Sequence, residues 1–295
     1  MLIQILQMME RLDAHRLGQN SADYLHALTE SIKLAASDRE AFYGDPDFVD
    51  VPLPQLLSEH YAADRAALID FASAHPNIPE PGLAALRQGS GLDKEGEPAV
   101  ARDTSYVCVS DKHGNVVSAT PSDEAVDCPI TPGLGFLVSS RGSQSWIKKG
   151  HPSAIAAGKR PRLTPNPALA VRDNREFLAF GCPGGDMQVQ AMVQGFLNHV
   201  VFGMNLQDAV EAPRIGSYGI VQSFSPHEIY PRLLKIDPEI PEHVATSLAD
   251  RGHVVERWEK LSYAAGSVCM LAMNAETGSV SAAADPRRPS YALGW

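Results

Sequence analysis

The stretch DTSYVCVSDKHGNVVSATPSD, residues 103–123, constrains this chain most. Val107 and Val109 alternate with Cys108 and Ser110, the period of two that marks a half-buried strand. The run DKHGN then supplies turn residues, with Gly114 and Asn115 suited to positive φ. Val116, Val117 and Ser118 to Thr120 return as a second strand, so the spacing predicts a β-hairpin. Thr104 opens it, behind the charged approach Ala101-Arg102-Asp103. A threonine there has two readings. It is a β-branched residue favoured in strands, or, if the peptide bond before it is cut, it is a nucleophile. In the second case the new α-amine, with an ordinary pKa of about 7.7–8.0, takes the hydroxyl proton as a built-in base. The hairpin alone does not choose between them.

With 295 residues the chain can build one large domain or two small ones. A formal net charge of −10 argues against nucleic acid or an anionic membrane as partner. No apolar run approaches the ~20 residues needed to span a bilayer. The opening MLIQILQMMERLDAHRL reaches charges too early for a signal peptide and lacks a basic leader, so it predicts an amphipathic helix. A cytoplasmic location is the expectation, with the periplasm or secretion as the alternative if an upstream segment exists. Cys108, Cys128, Cys182 and Cys269 lie far apart with no CxxC pair, which excludes a familiar zinc spacing and a dense disulfide scaffold. No metal and no cofactor are expected.

Leu2, Ile5, Leu6, Met9 and Leu12 fall at helical spacing, and Leu17-Gly18 closes that helix. Ser21 is placed to cap a second helix running to about Phe42. The Pro-rich crossing GDPDFVDVPLPQLL hands over to a third helix from Ser58 to about Ala74. Asp45 and Asp47, beside Gly and Pro, read as turn chemistry rather than a cation site. From His75 to Val100 the composition becomes that of a Pro/Gly-rich linker without a core of its own. Such a segment is what precedes an internal processing site.

Residues 124–165 read as irregular, with the short apolar run Gly135 to Val138 followed by Ser139-Ser140-Arg141-Gly142. Arg141, Lys159, Arg160 and Arg162 make this part locally basic, either as solvated loop charges or as an anion-binding surface. Phe177 to Phe180 predict a strand, GCPGGD a turn, and Val189, Met192, Val193, Phe196, Leu197 and Val200 a long helix. Amides at such a turn point outward and bind negative charge. Gly184 and Gly185 therefore either hold an oxyanion or simply turn the chain. No GK[ST] follows, so this is not a nucleotide loop. Further helices are expected from Asn205 to Ala212 and from Pro241 to Arg251, stopped by Gly252. Strands are expected over Val254–Trp258, Gly266–Met273 and Ser279–Ala284.

TSYVCVSDKHGNVVSAT, GKRPRLTPNPALAV, CPGGD, FGMNLQDAVEAPR and ADPRRP resemble, in that order, blocks of the γ-glutamyltranspeptidase family, and DREAFYGDPDFVDVP resembles its large-subunit block just upstream. The resemblance implies an N-terminal-nucleophile hydrolase of mixed α/β (α+β) class, a four-layer α/β/β/α sandwich incomplete at its N-terminus. It implies a precursor that cuts itself between Asp103 and Thr104. Residues 1–103 then form the end of the large-subunit region and residues 104–295 the small-subunit region, together one structural domain. A heterodimer of the processed fragments follows, with an upstream segment or partner chain supplying the rest. The implied activity is acyl transfer or hydrolysis on γ-glutamyl or related acyl amides such as glutathione, with water, an amine or an amino acid as acceptor.

Carried over by position, Thr104 is the nucleophile, Ser122 the supporting hydroxyl, and Gly184 and Gly185 the oxyanion hole. Glu124, Arg141, Gln144 and Thr164 fall at or near substrate-binding positions. Departures are visible there. Ser105-Tyr106 replaces Thr-His, Glu124 stands near an Asn, Arg141 and Gln144 near a Gln and an Asp, and Leu163-Thr164 near a Ser-Ser pair. The exchange removes a partner for an ammonium and adds one for a carboxylate. An amidase for dicarboxylic acyl groups, with Arg141 on the distal carboxylate, is therefore the alternative activity. A catalytically silent subunit that only associates with a partner is the third reading.

Overall fold

Apolar residues at helical spacing bring the N-terminal segment down onto one long buried helix. The computed structural model describes residues 1–83, 92, 93, 98, 104–123 and 128–295. Leu2–Arg11 form α1 and Ala14–Leu17 form α2. The two are separate because Asp13 takes a left-handed conformation and caps Arg16 N. Ala22–Phe42 form α3, opened by Ser21, whose Oγ accepts from Tyr24 N at 3.0 Å. Every residue from Tyr24 to Glu40 is buried, so α3 has no solvent face and sits inside the molecule. Its Leu25, Leu28 and Ile32 pack with Ile5, Met9, Val193, Ile215 and Leu234 as the main core.

Leu53–Leu56 form α4 and Glu59–Ala66 form α5. The third expected helix thus stops eight residues early. The Asp70 carboxylate instead accepts from Ala72 N and Ser73 Oγ, both at 2.9 Å, a local turn that competes with helical bonding. The expected linker is also not wholly without regular structure. Leu92–Asp93 (β1) pair in parallel with a strand over Glu228–Ile229. Residues 84–91, 94–97 and 99–103 lie outside the described residues.

Val107–Ser110 (β2) and Val116–Ala119 (β3) make the expected hairpin. Ala168–Arg172 (β4), Glu176–Gly181 (β5), Met187–Val200 (α6) and Leu206–Glu211 (α7) follow. Ile215–Ser217 (β6), Glu228–Ile229 (β7), Leu233–Ile236 (β8), Glu242–Asp250 (α8), Val254–Arg257 (β9), Cys269–Asn274 (β10) and Val280–Ala284 (β11) complete the chain. β11-β10-β5-β4 form one antiparallel sheet and β6-β8-β9 a mixed one. Residues of β6 and β8 are buried without alternation, which leaves no period to read in a Gly/Pro/Ser-rich stretch.

Alternation in β5 and β10 gives the sheet two working faces. Phe180 and Met270 meet Met192 and Val210 of the helices, whereas Ala179, Leu271 and Met273 meet Cys108 and Val116 of the hairpin. Three of the four expected layers, helix on sheet on hairpin, are formed by described elements. The hairpin lies the other way up from its hydrophobic pattern. Val107, Val109 and Val117 are about half exposed, and Tyr106 and Cys108 take the inner face. Tyr106 lies against Gly181, where an added Cβ would sit 2.1 Å from its ring, so the ring takes the place of a side chain.

One buried polar contact ties α3 to the start of β9. His26 Nε2 is 2.9 Å from the Asp70 carbonyl and must donate to it. His26 Nδ1, 2.9 Å from His253 Nε2, then accepts from that ring. Both imidazoles are neutral. Burial first, then Lys33, His26 and Arg251, pull His253 down to about 3, and burial lowers His26 as well. In the unfolded chain both titrate near 6.5. The unfolded state therefore binds more protons below that pH, and this contribution to stability is complete above about 6.5 and lost progressively toward 3. Unfolding free energies from urea titrations between pH 7 and 4 should fall more steeply for the wild type than for His253→Gln, by up to about 1.4 kcal/mol per pH unit for one proton.

Candidate active site

The hairpin delivers Thr104 to its own exit. Ser105 N donates to Pro121 O at 2.9 Å, which extends the ladder past β2 and sets the residue after Pro121 beside Thr104. Thr104 Oγ1 and Ser122 Oγ are 2.6 Å apart and share a hydrogen bond. Arg141 donates through Nη2 to the same Ser122 oxygen. Arg141 comes from a 3-10 turn, Ser140–Gln144, whose capping residue Ser139 accepts from Arg141 N and donates to Asp123 Oδ1 at 2.7 Å. The guanidinium is buried, with its carbon 5.6 Å above the Phe224 ring. A fixed cation is thus one hydroxyl away from Thr104.

Two expected substrate-binding residues meet each other. Gln144 is fully buried and its Nε2 donates to Thr164 Oγ1 at 3.3 Å. Trp146, just beyond, is stacked between His227 at 3.9 Å and His151 at 4.4 Å, which clamps the end of the turn that carries Arg141. Asp103 and Glu124 lie outside the described residues.

Between β5 and α6 the chain turns through Gly184, φ +137°, and Gly185, φ +57°. Both values lie where a Cβ is strained, so the pair is required for the turn itself. Gly184 O and Gly185 O accept from Met187 N and Gln188 N, so these carbonyls belong to the first turn of α6. Pro183 and Thr104 line one groove of about 1550 Å³, bounded by the hairpin and the C-terminal tail. Cys182 beside the glycines is fully buried, and burial pushes its thiol up to about 12. Cys108 is likewise pushed up to about 11. Both shifts run against a thiolate nucleophile.

Asp186, directly after the glycines, is held from three sides. Arg39 Nη1 lies 2.5 Å from Oδ1, and Ser223 donates through N at 2.7 Å and Oγ at 2.6 Å. Arg39 also donates to Glu40 Oε1 at 2.9 Å, and Arg162 reaches the same oxygen at 2.9 Å. Burial alone would raise the Glu40 carboxyl, but Arg162 and Arg39 outweigh it and hold it below the ordinary range. At these positions the loop's charges are therefore answered within the chain, although the Arg160 side chain stays 64% exposed. Arg162 is buried on Glu40, Arg160 bridges Asp45 at 2.5 Å and Asp47 at 2.6 Å, and Lys159 donates to Pro152 O at 2.6 Å. Asp47 N also donates to Asp45 Oδ1 at 3.2 Å, so the aspartates do form a turn, and that turn grips Arg160.

Arg39 and Glu40 were not among the residues singled out from the sequence. Their signal was three consecutive charges, Asp38-Arg39-Glu40, which a buried helix tolerates only with partners. Removing one member of such a pair leaves a buried charge and typically costs about 3–5 kcal/mol. Arg39→Met should lower stability by about that much in denaturant titrations, and Arg39→Met with Asp186→Asn should recover part of the loss.

The γ-glutamyltranspeptidase family model matches residues 1–295. The acylase ACY 1 proenzyme of Pseudomonas sp. (strain V22) is 34% identical over 273 residues, covering 92% of this chain and 44% of that protein. The glutathione hydrolase proenzyme of Bacillus subtilis (strain 168) is 29% identical over 300 residues, 98% of this chain and 48% of that protein. Among solved structures, LmbA2991HD superposes with a TM-score of 0.84 at 35% identity, covering 96% of this chain and 51% of that one. The chain thus spans about half the length of the relatives it matches. Fold, ordered motifs and relatives agree: this chain belongs to the γ-glutamyltranspeptidase family and has the α+β fold of its N-terminal-nucleophile hydrolases.

Proposed function

We propose that the complete protein is a self-processing acyltransferase and amidohydrolase that uses Thr104, freed by cleavage after Asp103, on γ-glutamyl or related acyl amides. The observation that carries this is the 2.6 Å contact of Thr104 Oγ1 with Ser122 Oγ, itself held by Arg141, at the head of the hairpin. The free Thr104 amine takes the hydroxyl proton while Oγ1 attacks the acyl carbon. Ser122 hydrogen-bonds the attacking oxygen, and the neighbouring guanidinium both polarises that hydroxyl and favours the uncharged, basic form of the amine. Backbone amides of the Gly184-Gly185 turn receive the carbonyl oxygen as it becomes an oxyanion. The protonated amine returns its proton to the leaving nitrogen, leaving an ester on Thr104. Water then gives the free acid, or an amine or amino acid the new amide, by the same steps in reverse. Residues 1–103 and 104–295 remain together as two fragments of one domain.

N-terminal sequencing of the complete protein should find a fragment beginning TSYVCVSD, and Thr104→Ala should remain uncut. A cut elsewhere, or a processed Thr104→Ala, removes Thr104 as the nucleophile.

A second reading concerns the acyl group. Arg141 places a buried cation beside the proposed nucleophile, and Gln144 is neutral, with its Nε2 on Thr164. This favours a dicarboxylic acyl group over one distinguished by an ammonium. The 34% identical relative is named an acylase. The kcat/KM for glutaryl anilide should exceed that for γ-glutamyl anilide, and the ratio should approach one in Arg141→Ala. Loss of overall rate alone would only report the contact with Ser122.

A further inference from the structure

The tail ADPRRP carries two adjacent arginines with opposite fates. Arg287 is spent inside the fold, on Asp237 at 2.6 Å, on Asp285 at 3.1 Å and on carbonyls of α7 and its C-cap. Arg288 is just as buried, 7% exposed, yet among the described residues no carboxylate touches it. Its guanidinium carbon lies over the Tyr263 ring, 3.7 Å from the ring centre, and Nε and Nη2 donate to the Tyr263 carbonyl at 3.3 and 3.1 Å. Nη1 has no partner among the described residues. By contrast, the buried cations Lys33, Arg39, Arg65 and Arg214 each sit on a carboxylate within 3.3 Å. An arginine held over an aromatic face, with a donor left over, is prepared for a carboxylate that no described residue supplies.

Its position says which carboxylate. Arg288 Nη2 flanks the oxyanion turn, 3.4 Å from where a Cβ on Gly184 would stand. Arg288 and Thr104 line the same groove, and Ser122, Arg141, Gln144 and Thr164 do not. The acyl-side candidates are therefore not part of this groove, which reaches Thr104 without them. Apolar residues such as Leu271 and Ala282 share its lining and suit the body of a small organic amine.

We propose that this groove is the subsite for the amine half of the substrate, and that Arg288, on its Tyr263 platform, binds a carboxylate carried by that amine. The class of ligand is an amino acid, a short peptide or a carboxylated ring amine, as leaving group in the first half-reaction and as acceptor in the second. The proposal rests on the acyl-transfer reading given above, but its binding step can be tested alone.

Equilibrium dialysis on the protein would compare 4-nitroaniline with its carboxylated analogue 5-amino-2-nitrobenzoate. The carboxylated amine should bind the wild type more tightly. Arg288→Met should weaken it about ten- to hundredfold, as loss of a hydrogen bond to a charged group does, and leave 4-nitroaniline unchanged. Arg288→Lys, which keeps the charge but not the fork, should fall between. Equal binding of the two amines by the wild type overturns the subsite, and this comparison needs no variant to fold. Equal weakening of both in Arg288→Met also overturns it, since the arginine would then only shape the groove. Selective binding without turnover of any acyl anilide by the complete protein would instead sink the acyl-transfer reading and leave the amine subsite standing.

Discussion

The fold is organised around a charge pair that a hydrophobic core should not contain. α3 is buried from Tyr24 to Glu40, so Arg39 and Glu40 sit where an unpaired ion would be very costly. They are tolerated because each finds partners in the later part of the chain, Arg39 on Asp186 and Glu40 on Arg162. Pairing of this kind adds little net stability over an apolar packing, but it is exacting about geometry. Asp186 must come to Arg39, and Asp186 immediately follows the glycine turn. The ion pair therefore sets where the turn ends and where α6 begins, and so where the Gly184 and Gly185 amides lie. Ser223 closes the third side of the carboxylate and brings in the segment that carries Phe224 and His227, under Arg141 and Trp146.

The hairpin is fixed by a complementary device. Its outer valines stay about half exposed, and its hold on the sheet comes from the inner face, Tyr106, Cys108 and Val116. Tyr106 fills the space over Gly181, five residues after the start of β5 and three before the glycine turn. Thr104 is thus located relative to β5, and the Gly184-Gly185 turn is an extension of β5. One strand positions both.

How much of this the sequence shows depends on whether a feature is local. The caps at Ser21 and Asn205, the hairpin turn and the glycine turn are written in a few contiguous residues, and all are found where those residues stand. Thr104 and Ser122 meet because a hairpin of that length must bring its ends together. β6 and β8 escaped because strands buried on both faces have no alternation to detect. The orientation of the hairpin escaped because its valines suggest the inner face, while the glycine that makes room for Tyr106 lies far away in the chain. The buried ion pairs escaped for the same reason. Asp38-Arg39-Glu40 announces that partners are needed, but only the fold can say that they are Asp186 and Arg162. The basic loop was legible as basic, yet its charges are answered by residues more than a hundred positions earlier.

These long-range pairs have one property in common that bears on a processed enzyme. Arg39 with Asp186, Glu40 with Arg162, Asp45 with Arg160 and His26 with His253 all join a residue before Asp103 to one after Thr104. None depends on the peptide bond between them. A cut there would free the Thr104 amine while the buried charges still hold the segments in register, because separating them would strand several ions in an apolar interface. The same pairs place the turn, the basic loop and α3 before any cut is made, so the geometry around Thr104 does not have to be assembled afterwards. Contacts that pair across positions 103 and 104 keep their geometry whether or not the peptide bond between those positions is intact.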